Sequence, residues 1–148
     1  MTYYLSRRAV LKWLETPSVY QLTRDELYEL DSESFRFLKN CASAEGCAPQ
    51  DGAFTDYCLE EGLLTTERVA VVRPALKQAP VPSHRYLELQ ITNACNLRCK
   101  HCYIGDADHH ELTPKQVVDI LREFEEMQGL RVLLTGGTAG TQQVQRDQ

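Results

Sequence analysis

The sequence predicts a mixed chain in two parts: a small α+β domain, then the first βαβ unit of a partial α/β (TIM-like) barrel. Three observations predict it. Short runs of alternating apolar residues give way to helical periodicity in the first half of the chain. Prolines at positions 74, 80 and 82 then interrupt it. Beyond them, strand, loop, helix and strand follow one another between Tyr86 and Thr135, the order of a parallel crossover.

In the first part, Arg8 to Glu15 alternates loosely around Val10, Leu11, Trp13 and Leu14. Thr16-Pro17-Ser18 reads as a turn, Val19 to Leu22 as a strand, Thr23 to Glu26 as a second turn, and Leu27 to Leu30 as a strand of period two. Asp31 or Ser32 offers an N-cap, since a short side-chain oxygen can accept from the free N–H groups of a first helical turn. Phe35, Leu38 and Ala42 recur at helical spacing, with Cys41 beside them. Residues 41–50 read as a loop. Asp51 caps a second helix with Phe54, Cys58 and Leu59 on one face and Gly62 as its stop. Leu63-Leu64 and Val69 to Val72 are expected to add apolar packing. Cys41 and Cys58 read as small hydrophobes, Cys47 as an exposed loop residue, and none of the three as a ligand.

The proline-rich stretch 74–84 resists helix and sheet and reads as a semi-rigid linker between a domain over 1–73 and a segment over 85–137. Tyr86 to Thr92 alternates, with Leu87, Leu89 and Ile91 on one face and Glu88, Gln90 and Thr92 on the other. In an α/β barrel the polar face would border an interior cavity. Thr113-Pro114-Lys115-Gln116 opens a helix: Thr113 is the N-cap, Pro114 takes the first helical position, and Gln116 completes a capping box. Leu112 and Val117 form a hydrophobic staple, and Val117, Ile120, Leu121, Phe124 and Met127 form the buried stripe. Gly129 ends that helix, and Val132 to Thr135 is a short strand of the kind buried in parallel sheets. A lone βαβ unit leaves sheet edges and apolar surface uncovered.

Composition excludes several function classes. A net charge of −5, with no long basic run, argues against nucleic acid as the main partner. No apolar run reaches the about 18 residues a membrane helix needs. Arg7-Arg8 mimics a twin-arginine signal, but Trp13-Leu14-Glu15-Thr16-Pro17 follows where an apolar core and cleavage site belong. Six cysteines in a small chain could suggest disulfides, but with export rejected, three of them at cluster spacing point to a reducing cytoplasm instead.

The chemistry is concentrated in Cys95-Asn96-Leu97-Arg98-Cys99-Lys100-His101-Cys102-Tyr103. Three thiolates at C-x3-C-x2-C spacing can ligate three irons of a [4Fe–4S] cube, leaving the fourth iron open. The alternative is a zinc knuckle built on Cys99 and Cys102 with Cys95 or His101, but the chain contains no second C-x2-C or C-x2-H pair. His109-His110 reads as solvated loop. The strand before the loop and the aromatic residue after it resemble the cluster loop of the radical S-adenosylmethionine (SAM) enzymes. The resemblance implies that Cys95, Cys99 and Cys102 hold the cluster and are each essential. The open iron would chelate SAM, and an electron would cleave SAM to a 5′-deoxyadenosyl radical that abstracts hydrogen from substrate. It also implies that Tyr103 lines the adenine side of SAM, that Gly136 and Gly137 approach its methionyl end, and that a reducing donor such as flavodoxin or ferredoxin supplies the electron.

The order of elements in 1–73 resembles the winged-helix-like (PqqD-like) peptide-binding domain related to the pyrroloquinoline-quinone chaperone. That resemblance implies a precursor peptide as partner, added as a strand to the sheet edge. A radical SAM enzyme acting on a small molecule, or a non-catalytic peptide-binding or zinc-knuckle module, are the alternatives. The family pattern stops after Gly137: Thr138 stands where the family has an acid and Ala139 where it has proline. Residues 138–148 are polar and aperiodic, and read as the disordered or frameshifted tail of an incomplete barrel.

Overall fold

A computed structural model describes residues 1–50, 52–95, 97–102 and 110–137. It is mixed α and β, with three helices and several small sheets among those residues. Contacts divide the chain into two units: residues 1–84 with 126–128, and residues 85–125 with 129–148.

In the first unit, β1 (Tyr4–Leu5) pairs antiparallel with β5 (Leu64–Thr65), while β2 (Ala9–Trp13), β3 (Pro17–Gln21) and β4 (Glu26–Glu29) form an antiparallel sheet in that order. The sheet expected from the alternating runs is present, with one shift. Pro17 and Ser18, expected in a turn, open β3 opposite Trp13 and Lys12. Proline is tolerated there because the first residue of a strand can do without its N–H. The second hairpin turns through Asp25 in the left-handed region (φ 57°), and Gln21 Oε1 accepts from the N–H groups of Thr23 and Arg24.

Helix α1 (Ser32–Cys41) starts at Asp31, whose carboxylate accepts from Glu33 N and Ser34 N at 3.0 and 2.8 Å. Helix α2 (Gly52–Glu60) follows, and Gly62 ends its turn at φ 67°, where a side chain would be strained. The expected cap Asp51 lies outside the described residues. Leu5, Val19, Leu38, Cys41, Cys58 and Leu63 make the heart of one core between these elements. Phe37 meets Phe54 edge to face at 6.0 Å.

Two expectations are corrected here. Val69 to Val72 adds little packing: Val71 is exposed and Val72 is 98% exposed, because the chain leaves the core after β5. Cys47 is not an unengaged loop thiol but is disulfide-bonded to Cys41. Gly46, at φ 69°, turns the chain so that Cys47 pairs with Tyr3 through N–H···O bonds of 2.8 and 2.9 Å. The stretch after Arg73 lies along the same unit. Arg73 donates to the carbonyls of Leu5, Ser6 and Ala9, and burial pushes its pKa down. Ala79 N donates to Trp13 O at 2.7 Å, and Ser83 bonds the Glu15 carboxylate.

In the second unit, β6 (Tyr86–Thr92) and β7 (Arg131–Gly136) are parallel and joined through α3 (Pro114–Glu126). The capping box is reciprocal: Gln116 N donates to Thr113 Oγ1 at 3.3 Å and Thr113 N to Gln116 Oε1 at 2.9 Å. Of the expected stripe, Phe124 is buried and the rest are half-buried. The chain leaves this helix through Gln128, which takes the left-handed conformation (φ 63°) expected of Gly129. Gly129 serves otherwise, since a Cβ there would sit 2.2 Å from the Phe124 ring. Leu133 and Leu134, expected to be buried, are more than half exposed, because two strands and one helix offer nothing to cover them.

Candidate cluster-binding site

The cysteine loop springs from the carboxyl end of β6, where the ladder is irregular. Gln90 faces Thr135 and Thr92 faces Gly136, so Ile91 is skipped. Such a bulge re-aims the chain leaving a strand. The stem of the loop is closed by polar contacts between its two ends. Asn93 N donates to His110 O at 3.1 Å, and His110 N to Asn93 Oδ1 at 2.6 Å. Thr92 Oγ1 donates to Glu111 at 3.0 Å and accepts from Ala94 N, while Leu112 N donates to Ile91 O. His110 thus contributes its backbone to the stem.

Above that stem, Cys95, Cys99 and Cys102 are all exposed and outside any disulfide. Leu97 N lies 3.4 Å from Cys95 Sγ, and Cys102 N donates to Cys99 O. Among the described residues no three His, Cys, Asp or Glu side chains converge closely enough to hold a metal. The sequence thus brings three thiols onto one loop. Tyr103 and His109 lie outside the described residues.

Gly136 and Gly137 meet the base of this loop directly. Gly137 N donates to Thr92 O at 3.2 Å. A Cβ on Gly137 would stand 1.9 Å from Ala94 O and 2.7 Å from Cys95 Cβ, and one on Gly136 would stand 2.9 Å from Thr92 Cγ2. The second glycine is therefore required by the chain's own packing, a role that spacing in the sequence does not reveal. One residue earlier, Thr135 Oγ1 is buried with no hydrogen-bond partner among the described residues. Beside the stem, a pocket of about 180 Å³ is lined by residues 90–93 and 110–112. It includes Gln90 and Thr92 from the polar face of β6.

The model of the radical SAM superfamily matches residues 89–143. Over that segment the chain is similar to the radical SAM superfamily. The match spans the bulge, the cysteine loop, α3, β7 and the glycine pair. Curated relatives agree: the mycofactocin maturase MftC of Mycolicibacterium smegmatis is 43% identical over 53 residues, which is 34% of this chain and 14% of the relative. The mycofactocin maturases MftC of Mycobacterium ulcerans and Mycobacterium tuberculosis match over the same lengths at the same identity. The aligned region is thus a small fraction of those relatives. No solved structure matches the chain.

The donor set fits the family's cluster in kind. Three soft, accessible thiols suit iron and sulfide, and a three-cysteine set leaves one iron for an outside ligand. Among the described residues no helix is long and apolar enough to cross a membrane.

Proposed function

We propose that this chain is the cluster-bearing part of a radical SAM enzyme that modifies a peptide. The observation that carries the reading is the junction of Gly137 with Ala94 and Cys95, which fixes the end of β7 against the start of the three-cysteine loop within the segment of family resemblance. Cys95, Cys99 and Cys102 ligate a [4Fe–4S] cluster as thiolates. When bound, that cluster supplies the one-electron chemistry that cleaves SAM. The stem contacts of Thr92, Asn93 and Glu111 anchor the loop's two ends. Gly136 and Gly137 border the methionyl end of SAM, Tyr103 borders its adenine, and the pocket beside Gln90 and Thr92 opens at the carboxyl end of a parallel strand, where α/β folds bind their ligands.

The first unit supports the peptide part. We read it as a winged-helix-like peptide-recognition domain, with 85–137 as the start of a partial barrel. The outer side of β2 carries the 73–79 stretch, through Arg73 on Ala9 and Ala79 on Trp13. The outer side of β4 has no strand partner among the described residues. An unpaired edge of this kind is where an extended peptide adds. The curated relatives are named maturases of mycofactocin, which favours a peptide over a small metabolite as substrate.

The test is anaerobic reconstitution with iron and sulfide, followed by electron paramagnetic resonance of the reduced protein. A cubane signal that shifts on adding SAM is expected, together with its loss in C95A, C99A or C102A. Zinc without sulfide would overturn the assignment. Protection of β4 amides from hydrogen exchange by a co-encoded precursor peptide tests the partner, and no measurable affinity would sink the peptide reading.

A further inference from the structure

The pair Arg7-Arg8 has no role in the cluster site, yet it occupies a defined place. It forms the turn between β1 and β2 and lines a groove of about 460 Å³ within the first unit. Arg24 and Arg68 line the same groove, so it carries four arginines against two glutamates in a chain of net charge −5. Their partners differ. Arg24 is paired with Glu61, and Arg68 Nε donates to Ala44 O at 3.2 Å. The guanidinium groups of Arg7 and Arg8 have no partner among the described residues.

A second observation comes from the floor of the groove. Gln21 is only 4% exposed, and its Oε1 is used by the N–H groups of Thr23 and Arg24. Its Nε2 is left without a partner among the described residues, beside Gly62 in the groove lining. That amide reaches the groove and can donate to an acceptor there. The groove therefore offers donors from several elements: the Arg7 and Arg8 guanidinium groups, the Gln21 amide, and the hydroxyls of Ser6 and Thr65.

We propose that this groove docks an acidic polypeptide segment. Its arginines come from the β1–β2 turn, the β3–β4 turn and the stretch after β5, too dispersed for one compact anion but suited to carboxylates spaced along a chain. Glu61 is already held by Arg24 and by the Tyr28 hydroxyl at 2.9 Å, which leaves Glu67 as the unneutralised acid of the rim. The groove also lies close to the free sheet edge through Arg24 and Glu61. Arg24 stands two residues before β4 and Tyr28 lies within it, so a peptide paired along β4 can run on into the arginines. The proposal rests on the first unit being peptide-binding, and adds that the bound segment is acidic.

The test uses the full chain with fluorescein-labelled hexaglutamate and with hexaglutamine as control, read by fluorescence anisotropy at low salt. Hexaglutamate should bind and hexaglutamine should not. The R7Q/R8Q double variant, altered only at exposed turn positions, should bind about tenfold more weakly, as loss of charged rim contacts implies. R36Q, on the exposed face of α1, should leave binding unchanged. Inorganic phosphate that displaces the peptide at equimolar concentration would overturn the proposal in favour of a small-anion site, and equal binding by R7Q/R8Q would overturn it outright. A precursor peptide that binds the wild type and R7Q/R8Q equally would overturn the groove and leave the peptide reading standing. Hexaglutamate binding that R7Q/R8Q abolishes, with no affinity for the precursor, would uphold the groove and sink that reading.

Discussion

Single atoms decide much of this molecule's chemistry. The absent Cβ of Gly137 is the clearest case, because its nearest neighbour would be a backbone oxygen at 1.9 Å, which cannot rotate away. Gly137→Ala should therefore pull β7 from the cysteine loop. It is expected to lose most iron and sulfide after reconstitution, measured as metal and acid-labile sulfide per chain. Gly136→Ala should keep more, because its closest neighbour is the methyl end of a side chain. Cysteine reactivity separates the same way. Burial pushes the Cys58 thiol up to about 12, whereas Cys95, Cys99 and Cys102 are exposed. A thiol reagent at neutral pH should modify three cysteines quickly and Cys58 only on unfolding. Four fast thiols in folded protein would contradict the core. Asp31 gives a pH signature. Hydrogen bonds from Ser34 and then Glu33 hold its carboxyl below the usual range. A lowered folded pKa stabilises above the unfolded value of about 3.9, and the contribution is lost as pH falls through the folded one. D31A should thus weaken α1 at neutral pH and lose its deficit to the wild type in acid, followed by thermal melts across pH.

At the scale of elements, legibility followed how local the determinants are. The capping box at Thr113, the strand over 86–92 and the paired runs of the first sheet each depend on neighbours within a few residues, and each formed, with Pro17 and Ser18 moved into β3 and a bulge at Ile91. β1 and β5 escaped notice because two-residue strands have no periodicity and exist only by pairing across the chain. The Cys41–Cys47 bond depends on Gly46 and on Tyr3 far upstream, so spacing alone could not announce it. The cysteine loop was legible as a motif, but the fit of Gly137 beneath it required coordinates. The capping box also makes a quantitative prediction. Thr113→Ala removes the acceptor for Gln116 N at 3.3 Å and should cost about 1 kcal/mol of stability. Serine at the same position should restore most of it. An unchanged midpoint in chemical denaturation would mean that tertiary contacts rather than the cap hold α3.

Across the whole molecule, the two units differ in how much apolar surface they bury. The first has a continuous core in which Leu5, Val19, Leu38 and Leu63 are no more than 1% exposed. In the second, Leu89 and Phe124 are the buried apolar side chains among the described residues, at 9% and 6% exposure, while Leu133 and Leu134 stand more than half open. Burial is the main favourable term of folding, so local stability should follow this division. Native-state hydrogen exchange is expected to find the amides of Val19, Tyr20 and Leu38 slowest, with those of Leu87, Leu89 and Val132 exchanging far sooner. Leu38→Ala, at a fully buried site, should lower the stability of the first unit by about 2–5 kcal/mol while barely changing exchange in β6 and β7. Equal protection in both units, or a Leu38→Ala effect spread uniformly over the chain, would mean that they fold as one body. The same contrast bears on function. On the proposed function, the well-packed first unit would hold a peptide without further ordering, whereas ligation would gather the thiols of the thinly packed second unit. Iron and sulfide should therefore raise protection selectively in the stem residues 92–94 and 110–112, and leave β2 to β4 as they were.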